Sequence, residues 1–129
     1  MEVKNDMERT MFITGNTYPM SLIRRAVRIT PVTMDYFSKR LDEDKWISYW
    51  GHENTLEAAK AVCGHDLRPT ETRPALTLDE DGYPSLYGVE YRECLVLSPE
   101  YRPGYRPAIG KEDKSEDILS WQVLRIIWE

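Results

Sequence analysis

The sequence predicts a single α/β domain with a mixed sheet of five or six strands flanked by helices. Three observations carry that expectation. The chain has 129 residues, enough for one domain with a real core, and its 41% hydrophobic and 30% charged content is that of an ordinary globular protein. Strand-like and helix-like segments alternate through its first half. Its second half holds apolar runs separated by Gly- and Pro-rich turns, the pattern of further strands.

Residues 1–10 are charged and without periodicity, and are expected to form a frayed leader before a domain spanning 11–129. Met11 to Thr14 is a short strand candidate, leading into the turn-rich loop Gly15-Asn-Thr-Tyr-Pro19. Ile23, Arg25, Val27 and Ile29 alternate with Arg24, Ala26 and Arg28, which predicts a second strand with one charged face. Its arginines suit an anionic ligand, and an exposed edge strand accounts for them equally. Thr33 is placed to cap a helix whose inner face is Met34, Phe37 and Leu41, with Asp35 near its start and Lys39 and Arg40 near its end complementing the helix dipole. Asp42 to Lys45 reads as a solvated loop.

The most informative stretch is Trp46 to Gly64. Trp46 to Trp50 has the aromatic and β-branched character of a buried strand. Gly51 permits a sharp turn, Asn54 is a good N-cap, and Glu57 three residues later completes a capping-box pattern. Leu56, Ala59, Val62 and Cys63 recur on one helical face, Glu57 and Lys60 point away, and Gly64 supplies the stop. Beyond it, Ala75 to Leu78 is a strand candidate, Asp79 to Pro84 a turn, and Leu86 to Tyr91 either strand or irregular. Cys94 to Leu97 and Trp121 to Trp128 are the strongest strands of the second half. Lys111 to Asp117 is polar, compatible with one helical turn.

Composition excludes several function classes. A net charge of −5 lacks the broad basic face of a duplex-DNA binder. No apolar run approaches the roughly 20 residues of a membrane span, and no secretory signal is visible, so the expected compartment is cytoplasmic. Cys63 and Cys94 fall in core-like segments and read as reduced thiols. The two histidines, His52 and His65, have no partnering cysteine pair, so no metal site is expected. His65, just after a helix stop, reads as an exposed loop residue.

The strand–turn–helix pattern places His52 at the carboxyl end of a strand, beside the unsatisfied N–H groups of a helix start, where an anion such as phosphate binds. A histidine there can equally hold the turn by bonding a backbone carbonyl. Gly51-His-Glu-Asn-Thr55, followed by an Ala-rich helix ending in Cys63-Gly64, resembles the Gly-His-x-Ser-Thr signature of the viral type III anti-CRISPR ring nuclease family. The order of elements is similar over most of the chain: a first strand ending in an Asn-containing loop, an arginine before the strand after the motif helix, and a terminal strand.

The resemblance implies a homodimer that binds and cleaves cyclic tetra-adenylate, using neither a metal nor a cofactor. His52 would be the general acid, Arg73 the phosphate ligand, and Glu100, by its position after the Cys94 strand, the acidic partner. Asn16, Gly51, Asn54 and Thr55 would line the ligand. Three departures stand out. The family's first-loop serine falls near Pro19, leaving Thr17 as the nearby hydroxyl; the motif serine is Asn54; and the region from Asp79 to Glu93 and the loop after Tyr101 are long.

The implied chemistry suits these residue types. A ribose 2′-OH attacks the adjacent phosphorus to leave a 2′,3′-cyclic phosphate, and the departing 5′-oxygen takes a proton from a histidine whose ordinary pKa is about 6.5. An arginine fork can donate two hydrogen bonds to the phosphate. Arg73 and Glu100 are also compatible with a surface ion pair. Tyr101-Arg102-Pro-Gly-Tyr105-Arg106-Pro107 combines stacking faces with guanidinium groups, fitting either a nucleotide lid or a stiff surface loop. Two other functions remain open: a sponge that holds a cyclic nucleotide intact, and an inhibitor that binds protein and has no nucleotide pocket.

Overall fold

The computed structural model describes residues 11–50, 56–68, 75–101, 103–104 and 118–129. The expected leader lies outside them. Strand β1 (Phe12–Gly15) is buried along its whole length. On its two sides it pairs in parallel with β3 (Trp46–Ser48) and with β7 (Glu93–Tyr101). The long β8 (Ile118–Trp128) runs antiparallel to β7 and to the edge strand β2 (Val27–Val32). The resulting five-stranded mixed sheet has the order β2-β8-β7-β1-β3. A fully buried parallel strand needs apolar residues on both faces, and Phe12 and Ile13 supply them.

Helix α1 (Met34–Asp42) crosses from β2 at one edge to β3 at the other. Its cap is the expected one: the Thr33 hydroxyl accepts from the Tyr36 N–H at 3.0 Å. Helix α2 (Leu56–Cys63) packs on the same face, so Phe37 and Leu41 meet Leu56, Ala59 and Cys63 over Phe12, Leu95 and Leu97. Gly64 ends α2 at φ +79, its N–H donating to the Lys60 carbonyl at 2.8 Å. Val62 departs from its expected place. It is 39% exposed, while Ala58 is buried.

The opposite face is backed by a second, three-stranded sheet of β4 (Thr77–Leu78), β5 (Pro84–Leu86) and β6 (Val89–Glu90). Tyr83 and Leu86 from this layer pack with Ile13, Tyr49, Cys94, Val96 and Trp128. The Leu86 to Tyr91 stretch therefore turns out to be a hairpin arm, a turn and a second arm. Tyr87 and Gly88 take φ of 52 and 78, the paired left-handed conformation of a tight two-residue turn.

Several strand boundaries move: β3 stops at Ser48 short of Trp50, β7 extends to Tyr101, β8 begins at Ile118, and two others shorten. The expected strand from Ile23 begins only at Val27, because its partner β8 ends at Trp128, the residue paired with Val27. Upstream, Arg25 instead donates to the backbone carbonyls of Asp81 and Glu129. The expected strand from Ala75 shortens to Thr77–Leu78, which pairs with β5 in the small sheet.

At the amino ends of the parallel strands sits an ionic cluster. The buried Glu93 carboxylate accepts two hydrogen bonds from Arg40, at 2.7 and 2.9 Å, and one from Arg125 at 2.8 Å. Arg40 also donates to the Tyr36 hydroxyl at 2.7 Å and stacks over the Phe12 ring. Burial opposes ionisation of Glu93, but the bonds from Arg40 and Arg125 outweigh it and hold the carboxyl below its usual range. His65 is likewise pinned rather than free. Its Nε2 lies 2.8 Å from Asp42 Oδ1, and its ring meets Trp46 edge-on.

Candidate functional site

Because β1 and β3 are neighbouring parallel strands, their carboxyl ends open on the same side of the sheet. Thr14 pairs with Ser48, so the chain leaves β1 through Asn16 and Thr17 beside the chain leaving β3 through Tyr49 and Trp50. Asn16 is half-buried and Thr17 exposed. The next residues after Trp50 are Gly51, His52, Asn54 and Thr55, which lie outside the described residues, as do Arg73, Arg102, Tyr105 and Arg106. The arrangement brings the first loop to the point where the motif begins.

Tyr49 organises this end. Its hydroxyl donates to the Thr17 carbonyl at 2.7 Å and lies 3.2 Å from Cys94 Sγ. A phenol has one proton, and a carbonyl can only accept, so the Cys94 thiol is the donor to the Tyr49 oxygen. Burial pushes the Tyr49 hydroxyl well above its ordinary pKa and the Cys94 thiol to about 12, which keeps both protonated. The Tyr49 ring lies so close over Gly15 that a Cβ there would come within 2.5 Å of it. Tyr18 meets the Tyr49 ring edge-on, and its own hydroxyl donates to the Leu22 carbonyl.

Ser48 braces the neighbouring edge. It accepts from the Trp50 N–H at 3.1 Å and donates to the Leu67 carbonyl in a short hydrogen bond. Leu67 belongs to the helix-side core, whereas Leu76 packs on the other face. Arg73, between them in sequence, lies outside the described residues. The buried Trp50 indole N–H has no acceptor among the described residues.

Glu100 and Tyr101 occupy a different part of the fold. Gly15 pairs with Val96, and Glu100 lies four residues beyond it, about 13 Å further along the strand. There β7 and β8 continue as a two-stranded ribbon, with an irregularity between Glu100 and Tyr101. Glu100 is exposed and accepts from the Ser120 hydroxyl at 2.7 Å.

Among solved structures, this fold matches B116 of Sulfolobus turreted icosahedral virus, with a TM-score of 0.55 and 15% sequence identity, over 92% of this chain and 99% of that one. At that identity the likeness is one of fold. No protein family model matches the chain, and no curated protein matches it by sequence.

Of the expected site residues that are described, the fold sets Asn16 and Thr17 beside the carboxyl end of β3 and Glu100 and Tyr101 on the ribbon. No group of three side chains able to hold a metal ion occurs among the described residues. Nor is any helix among them long and apolar enough to cross a membrane. Sequence reasoning passed over Tyr49 and Cys94. The available signal was the alternation in Trp46 to Trp50, which sends Tyr49 and Trp50 to opposite faces.

Proposed function

We propose that the protein is a viral anti-defence factor that binds a cyclic oligoadenylate, cyclic tetra-adenylate by the resemblance, and cleaves it without a metal. The observation that supports this reading is the parallel pairing of β1 with β3, which sets the Asn16–Thr17 loop beside the end of the strand that precedes the Gly51–Thr55 motif in sequence. Ligands of α/β proteins bind in such crevices at strand carboxyl ends. The fold shared with a viral protein supports the viral assignment.

In this reading, Asn16, Thr17, Gly51, Asn54 and Thr55 hold the ring, and Arg73 neutralises the phosphate. The ribose 2′-OH attacks phosphorus and the 5′-oxygen leaves with a proton from His52. The products are a linear oligonucleotide with a 5′-hydroxyl and a 2′,3′-cyclic phosphate. Glu100 is assigned as the acidic partner of His52 by the resemblance alone, its carboxylate being exposed on the ribbon and bonded to Ser120. Tyr101, Arg102, Tyr105 and Arg106 close over the bases as a lid. A two-fold dimer presents the same groups twice to a ligand with internal symmetry.

The test is incubation of the pure protein with labelled cyclic tetra-adenylate in the presence of a chelator. Linear products with a 2′,3′-cyclic phosphate support the reading. His52→Ala should lower the rate about 10²–10⁴-fold while retaining ligand, and Arg73→Ala should weaken binding with little change in thermal midpoint. Intact ligand recovered from the wild type would make the protein a sponge. No retention would overturn nucleotide binding altogether.

A further inference from the structure

Three groups from distant parts of the chain meet beneath the first loop: the Tyr49 ring on Gly15, the Tyr49 hydroxyl on the Thr17 carbonyl, and the Cys94 thiol on the Tyr49 oxygen. Tyr49 and Cys94 are buried, and neither reaches solvent to touch a ligand. Yet the acceptor of their hydrogen-bonded chain is the backbone of a loop that does reach solvent. A thiol that donates to a phenol makes that phenol a better donor in turn, so the two bonds reinforce each other. Gly15 is required for close approach, since any side chain would strike the ring.

We propose that Tyr49 is a positioning residue for the ligand site, acting through the Thr17 carbonyl to set the backbone that presents Asn16 and Thr17, with Cys94 as its supporting donor. The proposal rests on the reading that this loop contacts the cyclic nucleotide. It distinguishes Tyr49 from other buried hydroxyls. Thr14 also donates to a carbonyl, that of Leu95 at 2.7 Å, but its acceptor lies within β7 and not in the loop. The loop contacts ligand in the ground state, whereas proton transfer belongs to His52 on the next strand's turn. Loosening the loop should therefore raise KM and leave kcat nearly unchanged.

The experiment compares Tyr49→Phe, which keeps the ring, with Thr14→Val, which removes an equivalent buried hydrogen bond. Binding and turnover of cyclic tetra-adenylate are measured well below each thermal midpoint, and amide exchange is followed at Asn16 to Tyr18. Tyr49→Phe should weaken binding about tenfold, the scale of one lost hydrogen bond, raise KM alike, and speed exchange in the loop. Thr14→Val should lower the midpoint yet keep wild-type affinity. Equal affinity in wild type and Tyr49→Phe, or equal loss in both variants, would overturn the proposal. Should Tyr49→Phe fail to fold, Cys94→Ala carries the test: faster exchange at Thr17 with weaker binding supports it, and wild-type values overturn it. If the wild-type protein itself retains no ligand, the functional reading falls and the positioning role with it. Ligand retention with an unaffected Tyr49→Phe defeats the positioning role alone.

Discussion

The two ends of the parallel strands are held by opposite chemistries. At the amino ends, Glu93, Arg40 and Arg125 form a charged cluster with Tyr36 against the helix-side core. At the carboxyl ends, Thr14, Ser48 and Tyr49 are neutral and bond to backbone carbonyls, and Tyr49 reaches back to the Cys94 thiol near the start of β7. The ionic end joins α1, β7 and β8 to one another, so it holds elements in register. The neutral end fixes loops and edges next to the candidate site without adding charge there.

The largest effect should come from Glu93→Gln. It strands two guanidinium groups, Arg40 being only 14% exposed, and removing one partner of a buried pair costs about 3–5 kcal/mol. Denaturant titration should show that loss while ligand affinity, measured where the variant is folded, stays at the wild-type level. Affinity falling with stability would erase the separation between the two ends.

Acid should act through the same carboxyl. Its folded pKa is depressed, so the stability it contributes is present above its unfolded pKa of about 4.3 and is lost as pH falls through the folded value. Unfolding curves below pH 5 should be steeper in pH for the wild type than for Glu93→Gln. Parallel curves would mean that other carboxylates dominate.

A smaller cost is expected from Gly15→Ala. The added methyl meets a ring that its hydroxyl holds in place, and such overpacking costs about 1–3 kcal/mol. Here affinity should fall together with stability, the reverse of Glu93→Gln, as isothermal titration against cyclic tetra-adenylate would report. Cys94→Ala should have the smallest effect, about 1 kcal/mol, because it removes one weak donor. Calorimetric midpoints of the two variants would order them.

What the sequence revealed followed the range of the interactions involved. The Thr33 cap and the Gly64 stop are set by neighbours in the chain, and each lies where local patterning puts it, whereas β8 ends at Trp128 as expected but begins three residues earlier, at Ile118. The start of β2 depends on where β8 ends, and alternation at Ile23 and Arg25 carries no trace of that partner. The small sheet is built from strands of two or three residues, too short for a period to declare itself. The pattern from Gly51 to Thr55 could be read at all because its residues are adjacent, and it lies outside the described residues. Tyr49 was not legible, since its partners Thr17 and Cys94 lie 32 and 45 residues away.

The central placing of β1 also governs how the chain assembles. Thr14 and Leu95, bonded in the finished sheet, are 81 residues apart. During synthesis, β1 leaves the ribosome long before either neighbour exists, and must wait for β3 and then for β7. Contacts so distant in sequence close slowly, since the intervening chain loses entropy before any pairing is gained. The first loop of the candidate site is thus completed late: its Cys94 support arrives only after nearly three-quarters of these 129 residues have been made, so an abbreviated chain ending before β7 has no means of building it.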